Sequence, residues 1–144
     1  MFCGSKNGNS SIYKEFAEEL GAQLAKNKIK LVYGGGSLGL MGELSKSVHR
    51  NNGEVLGIIP KHLLEIEGIN KNYGETIITE DMHTRKKKMY DMSDAFLCLP
   101  GGIGTLEEIS EIITWFQLNI IRKPIFFLNI NGYWDNFKVI LEQF

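Results

Sequence analysis

The stretch LCLPGGIGTLEE (97–108) sets two carboxylates, Glu107 and Glu108, directly after a glycine-rich turn. About fifteen residues earlier MHTRK (82–86) supplies a cationic pair, Arg85 and Lys86. A glycine turn that opens a helix holds anions, because bare backbone N–H groups and the positive end of the helix dipole face the ligand. Gly101, Gly102, Ile103, Gly104 and Thr105 are therefore candidate anion-binding positions, with the threonine hydroxyl as a further donor. Carboxylates in the same place repel an anion. They suit general acid or base work, or the stabilisation of positive charge that develops during a reaction.

On a helix beginning near Thr105, Glu108 lies one turn in, below the glycine turn, and Glu107 points about 100° away around the axis. Glu108 is thus the catalytic candidate and Glu107 a secondary one. A competing reading makes Thr105-x-x-Glu108 a capping box, in which the glutamate only satisfies a backbone N–H at the helix start. Arg85 carries a permanent charge on a planar fork, suited to orienting a phosphate, a sugar or the glutamate itself. Lys87 and Lys88 read as a solvated face, His83 as structural, and Met82 as core in preference to a ligand contact.

Two further glycine turns follow strand-like segments: CGSKNG (3–8), with Ser5 as a donor, and YGGGSLG (33–39), with Gly35, Gly36 and Ser37. In an open parallel sheet the ligand lies outside the carboxyl ends of the strands. Three turns converging there point to phosphate or sugar binding. The alternative is tight strand-to-helix packing that needs glycine for backbone reasons. Gly34, Gly36 and Gly39 spell G-x-G-x-x-G, but after the second strand, and the next strand ends in Pro60-Lys61 where an NAD site needs a carboxylate. The same turn spells G-x-S-x-G, yet the histidines His49, His62 and His83 offer no triad partner. A Walker A loop fails because Gly104 is followed by TLEE in place of Lys-Ser/Thr.

The elements that must position these groups alternate. Ile12, Phe16, Leu20 and Leu24 recur every fourth residue between Ser10 and Asn27, the stripe of an amphipathic helix. IKLVY (29–33) reads as a buried strand, followed by a helix expected to end near Gly53 as its C-cap. EVLGIIP (54–60) is a strand and 61–74 the least regular part. ETIITE (75–80) is a strand, 81–94 a polar helix, and AFLCL (95–99) a strand. A helix to about Leu118, the strand PIFFLNI (124–130) and a last helix complete the chain. The expected fold is α/β: one Rossmann-like domain over 1–144, an open parallel sheet with helices on both faces. The chain opens inside the first strand and stops in a helix without a cap, so trimmed ends are expected.

Sixteen basic and seventeen acidic side chains give a formal charge of −1, without the basic footprint of a nucleic-acid binder. Neither a membrane span of roughly 18 apolar residues nor a signal peptide is visible, so a cytoplasmic protein is expected. Cys3 and Cys98 lack zinc-site spacing and read as reduced core thiols. No metal or other cofactor is expected.

PGGIGTLEE with MHTRK, preceded by YGGGSLGLMG, resembles the LOG (lonely guy) family of phosphoribohydrolases, whose signature is PGGxGTxxE with an upstream arginine. The resemblance runs over nearly the whole chain, including TWFQL (114–118) and GYWDN (132–136). It implies hydrolysis of the N-glycosidic bond of a nucleoside 5′-monophosphate, N6-modified adenine or AMP, to base and ribose 5-phosphate. It makes Pro100, Gly101, Gly102, Gly104, Thr105 and Glu108 the centre of the site, Arg85 and Lys86 its basic partners, and Glu67 and Thr114 further substrate contacts. Phosphate and glutamate would then serve opposite ends of one substrate. Relatives have also carried the label lysine decarboxylase, but nothing here identifies a Schiff-base lysine with a partner for a pyridoxal ring. The resemblance further implies a homodimer, which agrees with a helix that turns apolar on nearly every face after Ile112. A non-catalytic nucleotide-binding module of the same fold is the competing reading; it would not need both Arg85 and Glu108.

Overall fold

The computed structural model describes residues 1–67 and 73–143. Its elements run α1 (Ser11–Lys26), β1 (Leu31–Tyr33), α2 (Gly39–Arg50), β2 (Val55–Pro60), α3 (Lys61–Glu67), β3 (Glu75–Thr79), α4 (Met82–Asp91), β4 (Phe96–Cys98), α5 (Ile103–Gln117), β5 (Ile125–Phe127) and α6 (Asp135–Glu142). β1, β2 and β3 pair in parallel in that order, and β4 pairs in parallel with β5. The extended segment Met1–Gly4 lies between the two groups. Phe2 bridges Cys98 in parallel, with Phe2 N–H donating to Leu97 O and Leu99 N–H to Phe2 O, each at 2.9 Å. On its other side Met1 N donates to Val32 O at 2.8 Å. The spatial order is therefore β5, β4, Met1–Gly4, β1, β2, β3, and the strand order reverses beside Met1–Gly4. That reversal is the switch point at which open α/β sheets bind ligands.

Strand periodicity sorts the apolar side chains onto two faces. Met1, Cys3, Leu31, Tyr33 and Val55 pack with Leu24 of α1 and Leu40, Leu44 and Val48 of α2. Phe2, Val32, Leu56, Ile58 and Phe96 face the other way, against Met89 and Tyr90 of α4 and Ile109 and Ile112 of α5. Leu44, Val48, Ile58, Ile109 and Ile112 are wholly buried, each contributing about 1.5–3 kcal/mol relative to an exposed side chain. Helices thus cover both faces, as the alternating pattern predicts.

Several boundaries differ from expectation, each for a local reason. α2 stops at Arg50, and the left-handed residue after it is Asn52 (φ +58°), an asparagine doing what was expected of Gly53. Gly53 instead answers packing: a Cβ there would lie 2.6 Å from Val48 Cγ1. The segment after Pro60, expected to be irregular, starts as the short helix α3. The polar helix α4 starts after Asp81, whose carboxylate accepts from Thr84 N–H at 2.7 Å, and ends at Asp91. α5 begins two residues earlier than expected, with Gly102 as its N-cap.

Candidate active site

The carboxyl ends of Met1–Gly4, β1, β2 and β4 converge on a crevice of about 480 Å³. A larger groove of about 640 Å³ lies near Leu31, Ala95 and Phe126, at the amino ends of the strands, and contains none of the three glycine turns. Strand topology assigns the chemistry to the smaller one.

Arg85 sits in the first turn of α4, 6% exposed, and its guanidinium is spread over four partners, the Met82 sulfur at 3.8 Å from Nη1 among them. Nε donates to Ile58 O at 3.0 Å and Nη2 to Gly34 O at 3.3 Å, so the strand ends of β1 and β2 hold its orientation. Nη1 stands 3.2 Å from Glu108 Oε1. The guanidinium occupies the space a side chain at Gly34 would fill, since a Cβ there would fall 1.9 Å from Nη2. Glu108, on the second turn of α5, is 9% exposed. Burial pushes its carboxyl above the ordinary glutamate range, and the Arg85 charge pulls it back. The capping-box reading does not hold: Gly102 caps α5, Thr105 lies inside the helix, and Glu108 pairs with Arg85.

Above the pair, Gly102, Ile103, Gly104 and Thr105 wall the crevice. A Cβ on Gly102 or Gly104 would meet no protein atom within 4 Å, so both glycines present bare backbone to open space. Gly101 is different: a Cβ there would lie 2.1 Å from Thr105 Oγ1, and its carbonyl accepts from the Tyr133 hydroxyl. Thr105 is buried beside it.

Ser5 and Gly36 line the same crevice, as their turns predict. Gly35 and Ser37 do not line it: Gly35 is buried at φ +78°, where a Cβ would fall 2.9 Å from Ile59 Cβ, and Ser37 is half-buried. Lys86 does not line the crevice: its ammonium pairs with Glu107 and, at 3.0 Å, with Glu111, which also accepts from the Tyr90 hydroxyl at 2.6 Å. Burial lowers the Lys86 pKa, but the two carboxylates outweigh it and the net direction is up. Glu107 remains on the crevice rim with Lys86 as its partner. Thr114 is exposed, donates to Ser110 O at 2.8 Å, and does not line the crevice. Glu67 ends α3, and its side chain lies outside the described residues. Met82, expected in the core, lines the crevice with Met41 and Leu63, which sequence reasoning missed because they come from separate helices. Lys6, on the loop after Gly4, was missed as well. Among the described residues no group of three His, Cys, Asp or Glu could hold a metal ion, and no helix is long and apolar enough to cross a membrane.

Residues 41–144 match the family model described as possible lysine decarboxylase. Over 143 residues, 99% of the chain, the sequence is 48% identical to the cytokinin riboside 5′-monophosphate phosphoribohydrolase LOG7 of Arabidopsis thaliana, covering 66% of that protein. It is 48% identical over the same span to the probable enzyme LOG6 of that plant, covering 71% of it. The chain spans about two thirds of the length of the curated relatives it matches. Among solved structures the molybdenum cofactor carrier protein of Chlamydomonas reinhardtii superposes with a TM-score of 0.72 over 96% of this chain and 80% of that one, at 23% identity, a likeness of fold. With near-half identity across its length, and with the glycine turn, arginine and glutamate of its signature brought together in one crevice, the chain belongs to the LOG family.

Proposed function

We propose that this chain hydrolyses the N-glycosidic bond of nucleoside 5′-monophosphates, releasing the base and ribose 5-phosphate. The observation that carries this reading is the buried Glu108, ion-paired to Arg85 directly beneath the open backbone of Gly102 and Gly104. A phosphate at the start of α5 meets free N–H groups and the helix dipole. The sugar then extends toward Glu108. As the C1′–N bond lengthens, positive charge grows on the ribose, and the carboxylate stabilises it. Water adds to C1′ and gives one proton to Glu108; the departing base takes up one proton from solvent water, and Glu108 returns its own to solvent, so that one water is consumed and the carboxylate is restored. Arg85 opposes the burial that raises the Glu108 pKa and fixes the direction of the carboxylate.

The relatives named for cytokinin riboside 5′-monophosphates favour N6-modified adenine as the base, and Met41, Leu63 and Met82 give the crevice an apolar wall suited to it. AMP shares every feature the site addresses at the phosphate and ribose. Lysine decarboxylation through a Schiff base needs a lysine of lowered pKa at the reaction centre. The pKa of Lys86 is raised, and its ammonium is held by two carboxylates.

The homodimer belongs to the same reading. Phe116, Leu118 and Ile120, at and just beyond the end of α5, are each at least half exposed, so this chain does not bury them itself. Cys3 and Cys98 are free and buried, with thiol pKa values pushed up to about 12 mainly by burial, which suits a reducing cytoplasmic compartment.

Incubation with AMP and with its N6-isopentenyl analogue, followed by assay of ribose 5-phosphate, tests the activity. Release of ribose 5-phosphate from either supports it. Tight AMP binding without release of adenine would leave a nucleotide-holding module. Light scattering on the eluting peak reads the dimer.

A further inference from the structure

We propose that Lys6 is the cation that recognises the substrate's 5′-phosphate and so sets the preference for nucleotides over nucleosides, an inference that rests on the hydrolase reading under Proposed function. The charged side chains lining the crevice are Lys6, Arg85, Glu107 and Glu108. Their formal charges cancel. Arg85 is committed to Glu108 at 3.2 Å and to two strand-end carbonyls, and Glu107 is held by Lys86. Lys6 is exposed and, among the described residues, pairs with no carboxylate.

A phosphate monoester brings about −1.5 to −2 charges, and a helix N-terminus offers only about half a positive charge. With Arg85 and Glu107 already paired, Lys6 is the lining cation left to meet that charge beside the glycine turn. Gly4 N–H donates to Pro100 O at 3.0 Å, and the α-carbon of Gly101 would lie 3.3 Å from a Cβ on Gly4, so the Lys6 loop is rooted against the glycine turn. Its backbone is fixed from the other side by Gly39, at φ +59°, where a Cβ would fall 2.3 Å from Lys6 N. A rigid root with a flexible four-carbon stem and three rotatable donors suits a phosphate that must arrive and leave. Arg85 cannot take this role without giving up Glu108.

Calorimetric titration of the full chain with ribose 5-phosphate, for wild type, Lys6→Ala and Lys6→Arg at low and high salt, tests the assignment alongside AMP and adenosine kinetics. Lys6→Ala should bind ribose 5-phosphate about five- to tenfold more weakly, with a smaller salt dependence, and Lys6→Arg should recover most of the loss. AMP kcat/KM should fall in parallel while any adenosine turnover stays unchanged. Wild-type binding in Lys6→Ala overturns the proposal even if AMP is hydrolysed, and no binding by wild type overturns it too. Lys6-dependent binding without hydrolysis of AMP sustains the assignment and removes the hydrolase reading instead.

Discussion

Two of the glycine turns are both rich in glycine and differ in physics. In the turn between β1 and α2, the protein's own atoms account for three of the four glycines, and the fourth, Gly36, lines the crevice. Gly34 makes room for the Arg85 guanidinium, Gly35 and Gly39 adopt left-handed backbone at φ +78° and +59°, and each of the three would clash through a Cβ. In the turn between β4 and α5, Gly101 is of that kind, but Gly102 and Gly104 are not. Neither has positive φ, and a side chain on either would enter empty space. The first turn is scaffold that admits an arginine to the interior; the second is an exposed backbone surface at a helix start. In the second, no contact within 4 Å explains Gly102 or Gly104.

The contrast can be broken at several points. The largest effect belongs to Glu108→Gln, which keeps the shape of the side chain and removes its charge: release of ribose 5-phosphate should fall by about 10³-fold while the fold persists. Arg85→Ala should cost about 10²-fold and also move the pH profile. Burial already raises the Glu108 pKa and Arg85 opposes that rise, so loss of the arginine lifts it further. The rising acid limb of kcat/KM therefore shifts to higher pH, and an unmoved limb would mean that Arg85 does not tune Glu108. Gly34→Ala should expel the guanidinium, lower stability by about 1–3 kcal/mol and reduce turnover. Gly104→Ala is the opposing case: unfolding free energy should hold or rise by up to about 1 kcal/mol through helix propensity. Its ribose 5-phosphate affinity should nevertheless drop several-fold. Equal destabilisation by both alanines, read by denaturant unfolding, would erase the distinction between the turns.

Much of this arrangement is legible in the sequence. The alternating elements and the three turns at strand ends follow from periodicity and glycine placement, and the glutamate is one of three groups that the fork of Arg85 suits, beside a phosphate and a sugar. What was hidden depended on rotation and register. Arg85 and Lys86 are neighbours on α4, yet about 100° of helix separates them, and only packing decides which faces the crevice. Lys86 pairs with Glu107 and Glu111. The start of α5 also decided between two readings of Glu108. Thr105 fits a capping box on paper, but Gly102 takes the cap because the chain leaves β4 through Pro100 and turns at once. Met41, Leu63 and Lys6 carry no local signal, since each meets the crevice only when separate elements come together. The apolar end of α5 reads as buried in sequence but stays exposed in this chain, because composition does not say what covers a face.

The most direct test is a crystal structure of Glu108→Gln with AMP bound. The account predicts the phosphate seated on the backbone of Gly102 to Thr105, with the substituted side chain at position 108 beside C1′ or reaching it through one water, at near-attack distances of about 3–3.5 Å per contact. A phosphate held elsewhere, or a C1′ far from position 108 with the side chain turned into the helix, would contradict it.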